Sequence, residues 1–143
     1  MTPRVVLDAS VVLKWFSPEN EENVDLALDV YKSIVGGSLG AMAPTLLVWE
    51  VINVLAMKKK LDFKLLLKVV EKIANCGIIF VEVDIRKAKE VLDIMKESRF
   101  ASYDCLYLWL AKEKSVPLLT EDSFLLEEKN TLSLWKFLKN GSV

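Results

Sequence analysis

Four carboxylates stand alone inside the most apolar stretches of this chain. Asp8 follows Val5-Val6-Leu7 and precedes Ala9-Ser10-Val11-Val12-Leu13, and Glu50 is enclosed by Leu46-Leu47-Val48-Trp49 and Val51-Ile52-Asn53-Val54-Leu55. Asp104 leads into Cys105-Leu106-Tyr107-Leu108-Trp109-Leu110-Ala111, and Asp122 closes Val116-Pro117-Leu118-Leu119-Thr120-Glu121. An ionised carboxylate in apolar surroundings is costly unless it is paired or binds a metal. Four such groups point to one convergent anionic site, and a divalent cation is the simplest way to hold it together.

Composition narrows the chemistry. Histidine is absent, which excludes Ser-His-Asp and Cys-His nucleophilic sites, an imidazole zinc site and a histidine general acid. Any catalysis must come from carboxylates, lysines, hydroxyls or a metal. Cys76 and Cys105 are too few and too far apart for a disulfide framework or a thiolate zinc site, and read as small buried hydrophobes. The formal net charge is -1 and the pI about 5.6. Nucleic-acid binding would therefore depend on local basic patches and metal-mediated phosphate contacts.

The elements that must position the acids follow from periodicity. A chain of 143 residues, 52% hydrophobic with mean hydropathy +0.30, is the size of one domain spanning 1–143 with a substantial core. That apolar fraction hints at a self-association or partner surface. No apolar run approaches the roughly 18 residues of a membrane span. Pro3-Arg4 leads straight into a strand-like run rather than a signal peptide, so a cytoplasmic protein is expected.

Val5–Leu7 reads as a buried strand, followed by a helix from Val11 that Ser10 can cap. Val24, Ala27, Leu28, Tyr31, Ile34 and Val35 recur at helical spacing up to Gly36-Gly37. Leu39–Ala43 is a short strand. Pro44-Thr45 opens a helix reaching about Lys58, apolar nearly all round and hence expected to be buried. Asp62 starts a helix with Phe63, Leu66, Leu67, Val70 and Ile73 facing inward. Ile78–Val83 reads as the clearest strand. A helix beginning at Asp84 or Ile85 carries Ala88, Val91, Leu92 and Met95 on one stripe. Ser102 can cap the helix Tyr103–Lys114, Pro117–Thr120 is a strand, a short helix follows Asp122, and Leu134–Phe137 is a candidate edge strand. The four tryptophans, Trp15, Trp49, Trp109 and Trp135, read as core or dimer contacts.

Strands alternating with helices imply a parallel sheet covered on both faces, with ligands beyond the strands' carboxyl ends. Asp8 and Asp122 fall at such ends, and Asp104 falls in a first helical turn. Taken singly, each acid has a structural explanation. Asp8 suits a turn, Asp104 complements a helix dipole, Asp122 can cap a helix, and Glu50 could form a buried salt bridge with Lys14 or Arg99. Glu121, adjoining Asp122, is expected to face solvent.

Together the segments are recognisable. Val6-Leu7-Asp8-Ala9-Ser10, then Val12-Leu13-Lys14-Trp15-Phe16; Pro44-Thr45-Leu46-Leu47-Val48-Trp49-Glu50 with Asn53; Ser102-Tyr103-Asp104-Cys105-Leu106-Tyr107 with Ala111; and Leu118-Leu119-Thr120-Glu121-Asp122 occur in order. The chain thereby resembles the PIN-domain nucleases, and particularly the VapC-type toxins of toxin–antitoxin pairs, over essentially its whole length. Ser123 departs from the basic or amide residue that many members carry after the last aspartate. The resemblance implies a PIN-like three-layer α/β sandwich with a central parallel sheet of four to five strands. It also implies a metal-dependent ribonuclease, usually a homodimer or higher oligomer, restrained by a small VapB-type antitoxin whose tail threads into the acidic cleft.

On this reading Asp8, Glu50, Asp104 and Asp122 hold Mg²⁺ or Mn²⁺, with Asp8 and Asp104 the first choice for direct ligands. Ser10, Asn53 and Thr120 are candidates for orienting carboxylates or waters. Lys14, Lys58, Lys59 and Lys60 are candidates for RNA phosphates, although the triple lysine also suits a solvated helix end. Two other classes remain open: a non-catalytic scaffold for partner or RNA binding, and an aspartyl-phosphate phosphatase with Asp8 as nucleophile. The latter usually wants an aspartate two positions later, where Ser10 stands.

Overall fold

The run Val5-Val6-Leu7 becomes the middle strand of a parallel sheet, with all three side chains fully buried. A computed structural model describes residues 2–139 of the chain. Among these, five strands and seven α-helices follow one another as β1 (Arg4–Leu7), α1 (Ala9–Phe16), α2 (Val24–Val35), β2 (Gly40–Pro44), α3 (Leu46–Asn53), α4 (Phe63–Asn75), β3 (Ile79–Val81), α5 (Ala88–Ser98), α6 (Ser102–Lys114), β4 (Leu118–Leu119), β5 (Thr131–Leu132) and α7 (Leu134–Lys139). The strand order is β3-β2-β1-β4-β5, and every pairing is parallel. Val6 pairs with Met42 on one side and Leu118 on the other. Right-handed crossovers put α1–α4, which link β1 to β2 and β2 to β3, on one face. The return from β3 to β4 puts α5 and α6 on the other. This is the three-layer α/β sandwich expected from the alternation.

The order reverses at β1 and β4, and that seam is where a parallel α/β sheet opens a crevice beyond its strand ends. Backbone bonds hold β4 to β1 and to β5 right up to the opening. Asp8 N–H donates to Leu119 O at 3.0 Å, and Thr120 N–H donates to Leu132 O at 3.0 Å.

Several elements depart from the periodicity reading. The strand expected at Leu134–Phe137 is helix α7. Leu134 and Phe137 are buried at a three-residue spacing, and Ser133 Oγ accepts from Lys136 N–H at 3.2 Å as a cap. The edge strand is instead Thr131–Leu132. The apparent strand Ile78–Val83 pairs over only Ile79–Val81, because β2 offers partners only from Met42 to Pro44. Helix α4 buries Leu66, Val69 and Ile73, leaving Phe63 and Leu67 exposed. Helix α3 runs on into a π-helical turn, Val54–Lys58, and buries only the narrow seam Leu47, Val51, Leu55. Trp49 on its outer side is 67% exposed, so the all-round apolar helix is not a buried one. Trp135 is also exposed, whereas Trp109 is buried and Trp15 donates through Nε1 to Ala27 O at 2.8 Å. Neither Ser10 nor Ser102 caps as expected: each lies inside the first turn, and Asp8 and Ala101 occupy the N-cap positions.

Leu119 is the β4 residue that backs the crevice, fully buried between β1 and β5. Leu119→Ala is expected to destabilise the fold by about 2–5 kcal/mol, read as a lower denaturant midpoint with an unchanged slope.

Candidate metal centre

Asp8 emerges from β1 directly into the crevice and is only 6% exposed. Ser10, two residues on, donates from Oγ to Asp8 Oδ2 at 2.7 Å. Thr120, at the end of β4, donates from Oγ1 to the same oxygen at 2.8 Å. The two hydroxyls lie 3.3 Å apart, but each has its single proton committed to Asp8. Each accepts in turn from the backbone: Glu121 N–H to Ser10 Oγ at 3.0 Å, and Asp122 N–H to Thr120 Oγ1 at 3.0 Å. The carboxylate is thereby tied to the ends of both central strands, with Oδ1 left by both hydroxyls.

Bonds from hydroxyls to an ion contribute about 1.5–3 kcal/mol each, against several kcal/mol for desolvating a carboxylate. Burial wins: it pushes the Asp8 carboxyl above the ordinary aspartate range, Ser10 and Thr120 pull it back in part, and the negative charge of Asp122 raises it further.

The other acids arrive on separate elements. Glu50 sits one turn into α3, half-buried, and accepts from the Tyr107 hydroxyl of α6 at 2.5 Å. Burial raises its pKa, the Tyr107 bond lowers it, and the charges of Asp8 and Asp104 raise it. Asp104 lies in the first turn of α6, half-buried, and among the described residues its carboxylate accepts no protein hydrogen bond. Burial raises its pKa, and so do the charges of Asp8 and Asp122. Asp122 follows β4, and its Oδ1 accepts from Phe124 N–H at 2.9 Å, fixing the turn. The carboxyl ends of the two central strands and two helices from opposite faces thus bring Asp8 and Asp104 within electrostatic reach of each other and of both Glu50 and Asp122.

Of the remaining candidates, Asn53 is exposed on α3 and outside this network. Lys14 is buried, and its ammonium lies 3.3 Å from Glu21 Oε2, facing the α1–α2 loop. Lys58, Lys59 and Lys60 are exposed. Because α3 runs away from the crevice, they start roughly 12 Å beyond Glu50 along its axis. Glu50 pairs with neither Lys14 nor Arg99. Glu121 does not simply face solvent: its Oε1 accepts from Asn23 Nδ2 at 2.9 Å and its Oε2 from Leu134 N–H at 3.2 Å. It therefore pins the α1–α2 loop and the start of α7 to the end of β4. Tyr107 was not singled out by sequence. The available signal was its position three residues after Asp104, on the same helical face.

The donor set suits a small hard cation, since every candidate ligand is an oxygen. Among the described residues no three acidic or cysteine side chains are close enough to form a ready-made metal cage. That looseness fits Mg²⁺, which keeps several waters and takes one or two direct carboxylates.

Comparison with known proteins identifies the family and the fold. A family model described as PIN domain matches residues 5–127. The crystal structure of PAE2754 from Pyrobaculum aerophilum aligns with a TM-score of 0.68 at 19% identity, over 98% of this chain and 97% of that one. At such identity the likeness concerns the fold. A search among curated proteins finds no match.

A carboxyl whose pKa is higher folded than unfolded destabilises the fold when ionised and ceases to do so when protonated. For Asp8, Glu50 and Asp104 this penalty is complete above their raised folded-state values. It is relieved as pH falls through them and is gone below the unfolded values of 3.8 and 4.5. In chelator, the protein is expected to lose stability relative to Asp8→Asn as pH rises toward neutrality. Saturating Mg²⁺ is expected to raise the neutral-pH Tm of the wild type but not of Asp8→Asn. Equal Mg²⁺ shifts in both proteins would count against a shared site.

Proposed function

The chain belongs to the PIN-domain family, whose fold is of the nuclease type, and on that premise we propose that it is a divalent-metal-dependent ribonuclease. The observation that carries this reading is the gathering of Asp8, Glu50, Asp104 and Asp122 at the seam between β1 and β4, the first three raised chiefly by burial and further by the charge of their acidic neighbours. Asp8 and Asp104 would hold Mg²⁺ or Mn²⁺ directly, with Glu50 and Asp122 acting through water or at a second ion. When bound, the cation supplies water activation and neutralises charge building on the phosphoryl oxygens.

The chain's own residues prepare that chemistry. Ser10 and Thr120 fix the orientation of Asp8 through Oδ2, leaving Oδ1 clear of both hydroxyls. Asp104 is unencumbered by protein donors. Burial of Asp8 strengthens the field of its carboxylate. The exposed Lys58, Lys59 and Lys60 offer local positive charge to the RNA backbone beyond the scissile bond.

The same reading extends to biology: the toxin of a VapBC-type pair, acting in the cytoplasm as a homodimer and restrained by a small antitoxin. Support for self-association comes from the apolar side chains that α3 and α4 leave uncovered, notably Trp49 at 67% and Phe63 at 88% exposure. Trp49→Lys is expected to shift the species seen by light scattering from dimer to monomer, and a wild type already monomeric would remove this part of the reading.

One observation favours a second reading, a non-catalytic scaffold: the acids do not form a tight cage. The two readings part in a single experiment. Purified protein is expected to cleave a panel of structured RNAs only with Mg²⁺ or Mn²⁺. Asp8→Asn and Asp104→Asn are expected to lose on the order of 10²–10³ in rate, as when one pre-organised electrostatic contact is removed from an active site. Cleavage by Asp8→Asn at the wild-type rate would refute the assignment.

A further inference from the structure

Resting on the reading of the four acids as a cation site, we propose that Tyr107 is its positioning residue, holding Glu50 by one oxygen so that the other is presented to the cation. Tyr107 is fully buried at the centre of α6, and its ring packs within the apolar core. Its hydroxyl reaches Glu50 Oε1 at 2.5 Å, across 57 residues of sequence. That length is typical of an O–H donor on an ionised carboxylate.

Among the described residues this is the only hydrogen bond that either side chain makes. Among the described residues the phenol has no second hydrogen-bond partner, and beside a carboxylate it acts as the donor. Among the described residues no cation pairs with Glu50 on α3, so the Tyr107 hydroxyl is the one donor that orients its carboxylate. The bond also joins the two faces of the sandwich, α3 from one side and α6 from the other. On α6, Asp104 and Tyr107 stand three residues apart. One helical face thus contributes one acid directly and aims another. A carboxylate that keeps its orientation by an outer hydrogen bond loses affinity for metal by about 10–100-fold when that bond is removed.

A merely structural phenol would affect stability and leave metal binding alone, so the test reads Mn²⁺ affinity by calorimetry on folded protein. Tyr107→Phe removes one oxygen and keeps the ring. It is expected to bind Mn²⁺ about 10–100-fold more weakly. Glu50→Gln is expected to weaken binding too, and the double variant to bind no more weakly than Glu50→Gln alone. Wild-type affinity in Tyr107→Phe, with Glu50→Gln impaired, would overturn the positioning role and leave the cation site standing. Wild-type affinity in both Glu50→Gln and Asp8→Asn would overturn the cation site, and this proposal with it. Should Tyr107→Phe fail to fold, carbon-labelled tyrosine in the wild-type chain gives a second reading. The Tyr107 ring signal, assigned with Tyr31→Phe and Tyr103→Phe, is expected to move on adding Mg²⁺, and a stationary signal would overturn the role.

Discussion

Desolvation of one anion organises this molecule. Asp8 has to leave water at the carboxyl end of the central strand, and the fold offsets part of the cost with two hydroxyls rather than a counter-ion. Each hydroxyl is itself oriented by a backbone N–H from the end of β4. A lysine in that place would neutralise the charge and end its usefulness. Neutral donors instead hold the carboxylate still while leaving its field to be felt by neighbours. The one buried lysine, Lys14, is turned to Glu21 and stays out of the cluster.

The topology explains why four distant acids can share a locality. Only where crossovers leave a parallel sheet in opposite directions do adjacent strand ends open onto a crevice. Here that place lies between β1 and β4, and both strands release an aspartate there. Helices α3 and α6, from opposite faces, each bring one further acid on an early turn. Strands of two to five residues suffice, because the sheet's task is register at the seam, not breadth. Glu121 extends the same economy outward: one side chain fastens the α1–α2 loop and the first turn of α7 to the strand that carries Thr120 and Asp122.

Much of this was legible in sequence, and the failures have physical causes. The buried strands, the order of elements and the isolation of the acids follow from apolar runs broken by single charges. What periodicity could not see was which side of an apolar helix the core would cover. Leu46–Met57 is hydrophobic all round, yet the sheet takes only Leu47, Val51 and Leu55, so Trp49 and Met57 remain outside. Leu134–Phe137 looks like strand by composition and is helix because Ser133 caps it. Glu121 and Tyr107 were misjudged or passed over for a different reason. Their importance lies in partners 98 and 57 residues away, which no local pattern encodes. Ser10, by contrast, sits two residues from the acid it bonds, and Thr120 two residues before Asp122, so short spacing made both visible although Thr120 donates to the distant Asp8.

The looseness of the acidic set is itself informative. A cage of three or four converging carboxylates would suit a large, weakly hydrated cation. It would also concentrate repulsion that the metal-free fold must absorb. Spreading the acids over β1, β4, α3 and α6 keeps that repulsion second to burial as the cause of the raised pKa at three of them. In such an arrangement orientation matters more than proximity. A carboxylate that must meet an ion through a water tolerates some error in distance but little in direction. The hydrogen bonds on Asp8 Oδ2 and Glu50 Oε1 constrain direction, which is where a dispersed site of this kind would need its precision.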